Sequence, residues 1–226
     1  MSLYDNLRRV QDGIEDACAM SGRKSNEITL VAVTKFVSTE VIAEGLDLGI
    51  RNVGENRAQE LSEKLDFFKS KGFRIHFIGQ LQTNKVKYII GNADLIQSVD
   101  RIQLAHELER QASLKGIKQE ILIQVNIGEE AQKGGISKFM LEAFLADISD
   151  MPHLKAVGLM CIPPALGEEN TRPYFAAMRD LFENCNKLQG ITMRELSMGM
   201  SNDYKAAIVE GATMVRIGSA LFGRRM

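Results

Sequence analysis

The chain has 226 residues, 45% of them hydrophobic and 25% charged, and its 28 Lys and Arg nearly balance its 29 Asp and Glu. This composition excludes a disordered or collagen-like chain, and the balanced charge argues against nucleic-acid binding, which usually needs a basic surface. The three cysteines form no CxxC pair or Cys/His cluster, so neither a metal site nor a disulfide framework is predicted and we expect a cytoplasmic protein. No apolar run approaches the roughly 18 residues that span a membrane.

The chain begins with a helical pattern and then alternates regularly between strands and helices. Leu3, Leu7, Val10 and Ile14 recur at three- and four-residue steps, which predicts an amphipathic lead-in helix. The next segment, residues 28–35 (ITLVAVTK), is the continuous β-branched and apolar run typical of a strand buried on both faces. Seven more strands are predicted, each followed by helical sequence, at residues 50–55, 74–79, 95–100, 120–127, 154–162, 195–200 and 213–218. The helix after the sixth strand is predicted to end at Gly190.

Eight successive strand–helix units predict an α/β fold, a (β/α)8 TIM barrel with a closed parallel sheet. A doubly wound open sheet is the alternative, but the glycine fingerprint usual in that fold is missing. Because no low-complexity linker divides the chain, we predict one domain over residues 1–226. Since barrel enzymes place their active sites at the carboxyl ends of the strands, polar residues there are the candidates for function.

Lys35 is the first such candidate, because it follows the apolar first strand without a break. An amine that leaves a desolvated strand can remain uncharged and attack a carbonyl carbon. The alternative is a lysine that extends from a strand end to water.

The loops after strands seven and eight supply the second candidate site. Gly218 and Ser219 precede a short terminal helix, and Ser201 lies in the loop after strand seven. Barrels with a phosphate pocket usually build it from these two loops, although both serines could simply cap helices. Arg216 projects from the end of strand eight, where it could donate to a ring acceptor or pair with a barrel carboxylate. An amine, an anion pocket and a cation between them describe a site for pyridoxal phosphate.

The sequence closely resembles the pyridoxal phosphate homeostasis proteins, single-domain relatives of the alanine racemase N-terminal barrel. The resemblance covers the whole chain, and the residues that carry it are 31–35 (VAVTK), 54–57 (GENR), 76–85 (HFIGQLQTNK), 133–134 (KG), 197–201 (SMGMS) and 215–223 (VRIGSALFG).

The resemblance implies a pyridoxal phosphate cofactor held on Lys35 as a Schiff base. It implies further that Arg216 faces the ring nitrogen, that Ser201, Gly218 and Ser219 hold the phosphate, and that Asn56 and His76 line the pocket near the ring. An arginine opposite the ring nitrogen disfavours protonation of that nitrogen and weakens the cofactor as an electron sink. The implied function is therefore buffering or delivery of the cofactor, with apoenzymes as partners, and we expect a monomer.

Two other functions compete with this interpretation. An amino-acid racemase using the barrel alone would need a second acid or base on the opposite face of the substrate carbon. In alanine racemases a tyrosine from a further C-terminal domain takes that role, and we expect no such domain after the eighth strand here. A class I aldolase-like lyase would carry its lysine on strand six, where Lys155 stands at the wrong end of the strand.

Overall fold

The computed structural model describes residues 2–130 and 132–223. Eight parallel strands close into one barrel in chain order, which confirms the predicted (β/α)8 fold. The strands are β1 (Thr29–Val33), β2 (Asn52–Glu55), β3 (Arg74–Phe77), β4 (Leu95–Val99), β5 (Gln119–Val125), β6 (Leu154–Cys161), β7 (Glu195–Met200) and β8 (Met214–Ile217). The α-helices are α1 (Leu3–Ser21), α2 (Thr39–Asp47), α3 (Ala58–Ser70), α4 (Val86–Ile89), α5 (Ile102–Lys115), α6 (Leu141–Ser149), α7 (Glu168–Cys185), α8 (Tyr204–Val209) and α9 (Ser219–Phe222).

The predicted lead-in helix is α1, and its ends follow ordinary capping chemistry. Ser2 and Asp5 form a reciprocal capping box at its start, and Gly22 ends it in the left-handed conformation. The helix packs against α8 and α9 near the closing seam of the barrel. Gly13 permits this close contact, because a Cβ atom there would lie 2.1 Å from the hydroxyl oxygen of Tyr204 and would force that side chain to move.

Side chains alternate along each strand between the barrel interior and the layer beneath the helices. The interior holds a small apolar cluster of Val31, Leu95, Leu122, Val157, Met160 and Met214, while a larger core fills the space between the sheet and the helices. The same alternation leads upward from Val31 through Val33 to Lys35. It therefore directs Lys35 to the carboxyl end of the barrel interior.

The observed ends of several elements differ from the prediction. β1 stops at Val33, so Lys35 lies in a turn just beyond the strand. The prediction that the helix after β6 ends at Gly190 is wrong, because α7 ends at Cys185. Asn186 leaves the helix to exchange two hydrogen bonds with the backbone of Met193, and these bonds turn the chain toward β7. Within the described residues, no helix combines the length and apolarity that a membrane crossing needs.

Candidate functional site

A cleft of about 290 Å³ opens at the carboxyl ends of the strands. It brings together three of the residues predicted from the sequence, Lys35, Asn56 and Arg216. The remaining lining residues come from six strands or the loops that follow them: Val33, Ile78, Gly79, Gln80, Asp100, Gln124, Gly134, Ile162 and Met200. The cleft thus presents one amine, one guanidinium, several amide groups and the Asp100 carboxylate, which pairs with Arg101, on a partly apolar floor.

The turn that carries Lys35 is fixed by groups buried beneath it. The Lys64 ammonium donates to the Thr34 carbonyl oxygen at 2.8 Å and to Glu55 Oε1 at 3.0 Å. The Thr34 hydroxyl also donates to Glu55 Oε1, at 2.7 Å. Residues on both sides of Lys35 are held, because the Phe36 amide donates to Glu60, which also accepts from Lys64.

The electrostatics of this cluster follow from its burial. The Glu55 side chain is fully inaccessible to solvent, and this burial raises the pKa of its carboxyl group, while Thr34 and Lys64 act in the opposite direction. Phe36 adopts a left-handed φ of 58°, which is unusual for a bulky residue. The hydrogen bond from the Phe36 amide to Glu60 therefore stabilises a turn that the backbone alone would disfavour.

Arg216 is buried at the base of the cleft with polar but uncharged hydrogen-bond partners. Its Nη1 donates to Ser197 Oγ at 2.6 Å, and its Nη2 donates to the Cys161 carbonyl oxygen at 2.8 Å. Among the residues that the structure describes, no carboxylate lies within ion-pair distance of Arg216. Burial lowers the pKa of Arg216, yet a guanidinium remains protonated in proteins. A positive charge without a direct ion-pair partner therefore faces the cleft, and the Asp203 carboxylate acts on it only from beyond ion-pair distance.

Ser201 joins the loop after β7 to the loop after β8. Its Oγ accepts hydrogen bonds from the Gly218 amide at 3.3 Å and the Ala220 amide at 3.2 Å. Ser201 does not cap the helix that follows it, since α8 begins only at Tyr204. Ser201 and Ser219 line a depression of about 430 Å³ together with Asn6 and Arg9 of α1, while Met200, next to Ser201, lines the Lys35 cleft.

Asn56 is held in the cleft wall by close backbone packing. A Cβ atom at Gly79 would lie 2.1 Å from the Asn56 carbonyl oxygen, so only glycine allows this approach. The Asn56 Oδ1 atom is buried and has no hydrogen-bond partner. A buried amide oxygen without a partner is costly, which marks it as an acceptor available to a ligand donor.

His76 differs from its predicted position, because it is fully buried and is not among the residues that line the cleft. It lies two residues below Ile78 on the same face of β3 and its extension, hence deeper in the barrel. Its ring nitrogens are 3.0 Å from Gln97 Nε2 and 3.1 Å from Asn52 Oδ1. Burial lowers the pKa of His76 to about 3, so the imidazole is neutral near pH 7.

Sequence reasoning missed Lys64, Glu60, Gln97 and Ser197, all of which contact predicted site residues or their neighbours. The sequence signal that could have revealed them is a polar residue within a segment that is otherwise apolar. Gln97 and Ser197 interrupt otherwise apolar strands, and Lys64 falls on the inner face of α3. Within residues 2–130 and 132–223, no group of His, Cys, Asp and Glu side chains could hold a metal ion.

Fold and cleft together define a class of protein: a parallel (β/α)8 barrel whose interior presents a lysine and an unpaired arginine to one cleft. The family model for the N-terminal domain of alanine racemase matches residues 4–226. A pyridoxal phosphate homeostasis protein of Aquifex aeolicus is 43% identical over 226 residues, covering 100% of this chain and 99% of the relative.

Two solved structures at 33% identity agree with this class. A Bifidobacterium adolescentis protein superposes with a TM-score of 0.92, covering 97% of this chain and 94% of that one. PipY of Synechococcus elongatus, solved with PLP bound, superposes with a TM-score of 0.80, covering 93% of this chain and 100% of that one. The chain belongs to the pyridoxal phosphate homeostasis protein family, whose barrel is of the alanine racemase N-terminal type.

Proposed function

We propose that this protein binds pyridoxal 5'-phosphate in the Lys35 cleft and serves the homeostasis of that cofactor. The observation that carries the proposal is the meeting of Lys35 with the buried, unpaired Arg216 in one cleft at the carboxyl end of the barrel. Relatives support it, since PipY was solved with PLP bound and the Aquifex relative is named a pyridoxal phosphate homeostasis protein.

The residues present fit the cofactor at its ring end. Lys35 would hold the aldehyde carbon as a Schiff base, with the loss of one water molecule. Arg216 would direct its free N–H groups toward the pyridine nitrogen, which then acts as an acceptor. The partnerless Asn56 Oδ1 would accept from a ring substituent that carries a proton. His76 lies too deep to contact the ring.

The phosphate end would be held by Ser201, Gly218 and Ser219. Two backbone amides already converge on one point, where Ser201 Oγ now accepts from both. Because α9 is only four residues long, its macrodipole adds little and these individual donors matter most. Rotation of the Ser201 side chain would release these two amides for a phosphate oxygen and would direct the hydroxyl proton toward the same oxygen.

The site is better suited to carrying the cofactor than to catalysing reactions that need a strong electron sink. When bound, pyridoxal phosphate supplies an electron-withdrawing ring, and that property is strongest when the ring nitrogen is protonated. An arginine donor at that nitrogen opposes protonation, so the site favours storage and transfer. We propose apoenzymes that require this cofactor as the recipients, a monomer as the working unit, and the cytoplasm as the compartment, in keeping with the buried free thiols of Cys18, Cys161 and Cys185.

The test is a titration of purified protein with pyridoxal phosphate, followed by visible absorption. Wild type and Lys155→Ala, whose lysine lies at the opposite end of the barrel, should develop a Schiff-base band at equal cofactor concentration. Lys35→Ala should not develop it. A second assay tests delivery. The cofactor-loaded protein should reactivate a cofactor-free aminotransferase faster than serum albumin carrying the same concentration of bound cofactor does. Equal bands in the wild type and both variants would refute the assignment of Lys35.

Amino-acid racemisation is the second candidate, favoured by the match to the alanine racemase N-terminal domain. None of the four tyrosines lines the Lys35 cleft among the described residues, and Asp100, which does, pairs with Arg101 at 2.5 Å. Incubation with L-alanine and then D-alanine separates the two functions. Interconversion that disappears in Lys35→Ala would favour the racemase.

A further inference from the structure

A chain of hydrogen bonds runs through the barrel interior from Arg216 to the opposite end of the sheet. Arg216 donates to Ser197 Oγ at 2.6 Å, and that hydroxyl donates to Gln97 Oε1 at 2.7 Å. Gln97 Nε2 lies 3.0 Å from His76 Nδ1, and His76 Nε2 lies 3.1 Å from Asn52 Oδ1. The first four residues are buried, whereas Asn52 lines a groove between α1 and the amino ends of β1 and β2.

Met214 fixes the direction of this chain. Its sulfur lies 3.0 Å from Gln97 Nε2, and a thioether can accept a hydrogen bond but has no proton to donate. The amide nitrogen of Gln97 must therefore face Met214 and His76, which leaves its oxygen for Ser197. His76 Nδ1 is then an acceptor, and Nε2 carries the ring proton that it donates to Asn52.

In each hydrogen bond of the chain, the donor is thus the residue nearer to Arg216. None of the residues in the chain carries a negative charge. A guanidinium has donors only, so it is the natural start of such a chain. A carboxylate at the position of Gln97 would attract the guanidinium and offset its charge. The amide instead satisfies the geometry and leaves that charge directed at the cleft.

We propose that Ser197, Gln97 and His76 are positioning residues that hold the Arg216 guanidinium toward the bound ring without a carboxylate at ion-pair distance. The inference rests on the proposed function and extends it to three residues that act on the cofactor only through Arg216. His76 acts through Gln97 and Ser197 and does not touch the cofactor.

The first test uses the cofactor-free wild-type protein and needs no variant. ¹⁵N NMR of the histidine side chains should show His76 as the neutral tautomer protonated at Nε2 throughout pH 5 to 8. This agrees with its pKa of about 3. A His76 ring protonated at Nδ1, or charged at pH 6, would overturn the direction of the chain and with it the proposal.

The second test compares Gln97→Met and Ser197→Ala with Ser98→Ala as the matched control. Ser98 neighbours Gln97 and is also buried, but its hydroxyl has no partner. Ser197→Ala removes a hydrogen bond to the charged Arg216, and Gln97→Met removes the acceptor that orients the Ser197 hydroxyl. Both should therefore weaken cofactor binding about tenfold, whereas Ser98→Ala should bind within twofold of wild type. The chain variants should also change the pH at which the visible band of the bound ring titrates, which a merely structural role would leave unchanged.

The outcomes separate this proposal from the proposed function. If wild type binds the cofactor and Arg216→Met weakens binding while both chain variants match Ser98→Ala in affinity and band titration, the positioning role is refuted and the function stands. If wild type forms no adduct, the function itself fails. If Gln97→Met does not fold, Ser197→Ala, which removes only one oxygen, decides the same question.

Discussion

Lys64→Met should destabilise the fold in a way that depends strongly on pH. The variant removes the ammonium that contacts Thr34, Glu55 and Glu60, and it leaves the Glu55 carboxylate buried without a counter-charge. Such a group takes up a proton on folding instead of remaining ionised. Relative to an ordinary carboxyl pKa of 4.5, that uptake costs about 3 kcal/mol at pH 7 and less than about 1 kcal/mol at pH 5.

The direction of this pH dependence follows from the linkage between proton binding and folding. A carboxyl group kept neutral in the folded state binds more protons there than in the unfolded chain, so stability falls as pH rises above 4.5. Urea denaturation of Lys64→Met and wild type at pH 5 and pH 7 measures the difference. Lys69→Met, which removes an exposed lysine of the same helix bonded to Asn92, should change stability by under about 0.5 kcal/mol at both values. A penalty for Lys64→Met that is equal at pH 5 and pH 7 would refute the reasoning.

Three further predictions concern the interior and the cleft. His76 has a folded pKa of about 3 against an ordinary 6.5, so acidification from pH 6.5 to 5 should cost about 2 kcal/mol of stability through this residue. His76→Gln should remove that part of the loss in urea titrations, and an unchanged slope would contradict it. Gly79→Ala places a carbon against the Asn56 backbone and should lower stability by about 1–3 kcal/mol, seen as a lower Tm, with an unchanged Tm as the contrary result. Ser201→Ala should weaken binding of pyridoxal phosphate about fivefold in equilibrium titration; equal affinity would show that the hydroxyl makes no contact.

The fold and the upper layer of the site could be predicted because both depend on local pattern. Continuous apolar runs separated by helical periods indicate a parallel barrel, and such a barrel brings its strand ends together. Lys35 follows β1 and Arg216 lies one residue before the end of β8, so topology alone places them at one cleft. The loop after β8 was predictable for the same reason.

The buried groups beneath the cleft could not be predicted, because their positions depend on packing between segments that are distant in the sequence. Nothing local to Lys64 indicates that it reaches under β1 to the Thr34 carbonyl oxygen. His76 was expected beside the ring, yet the depth of a residue depends on where its segment reaches the cleft. β3 ends at Phe77, and the first residue of this segment to line the cleft is Ile78, two positions after His76. The buried Gln97 depends on sulfur and imidazole partners contributed by two other strands.

The most direct test of the account is the covalent site of the cofactor. Purified protein loaded with pyridoxal phosphate is reduced with borohydride, digested and analysed by peptide mass spectrometry. We predict a phosphopyridoxyl group on Lys35, with the same group absent from Lys35→Ala. A loaded protein that shows Lys35 unmodified, or the adduct on another lysine, would contradict the central claim.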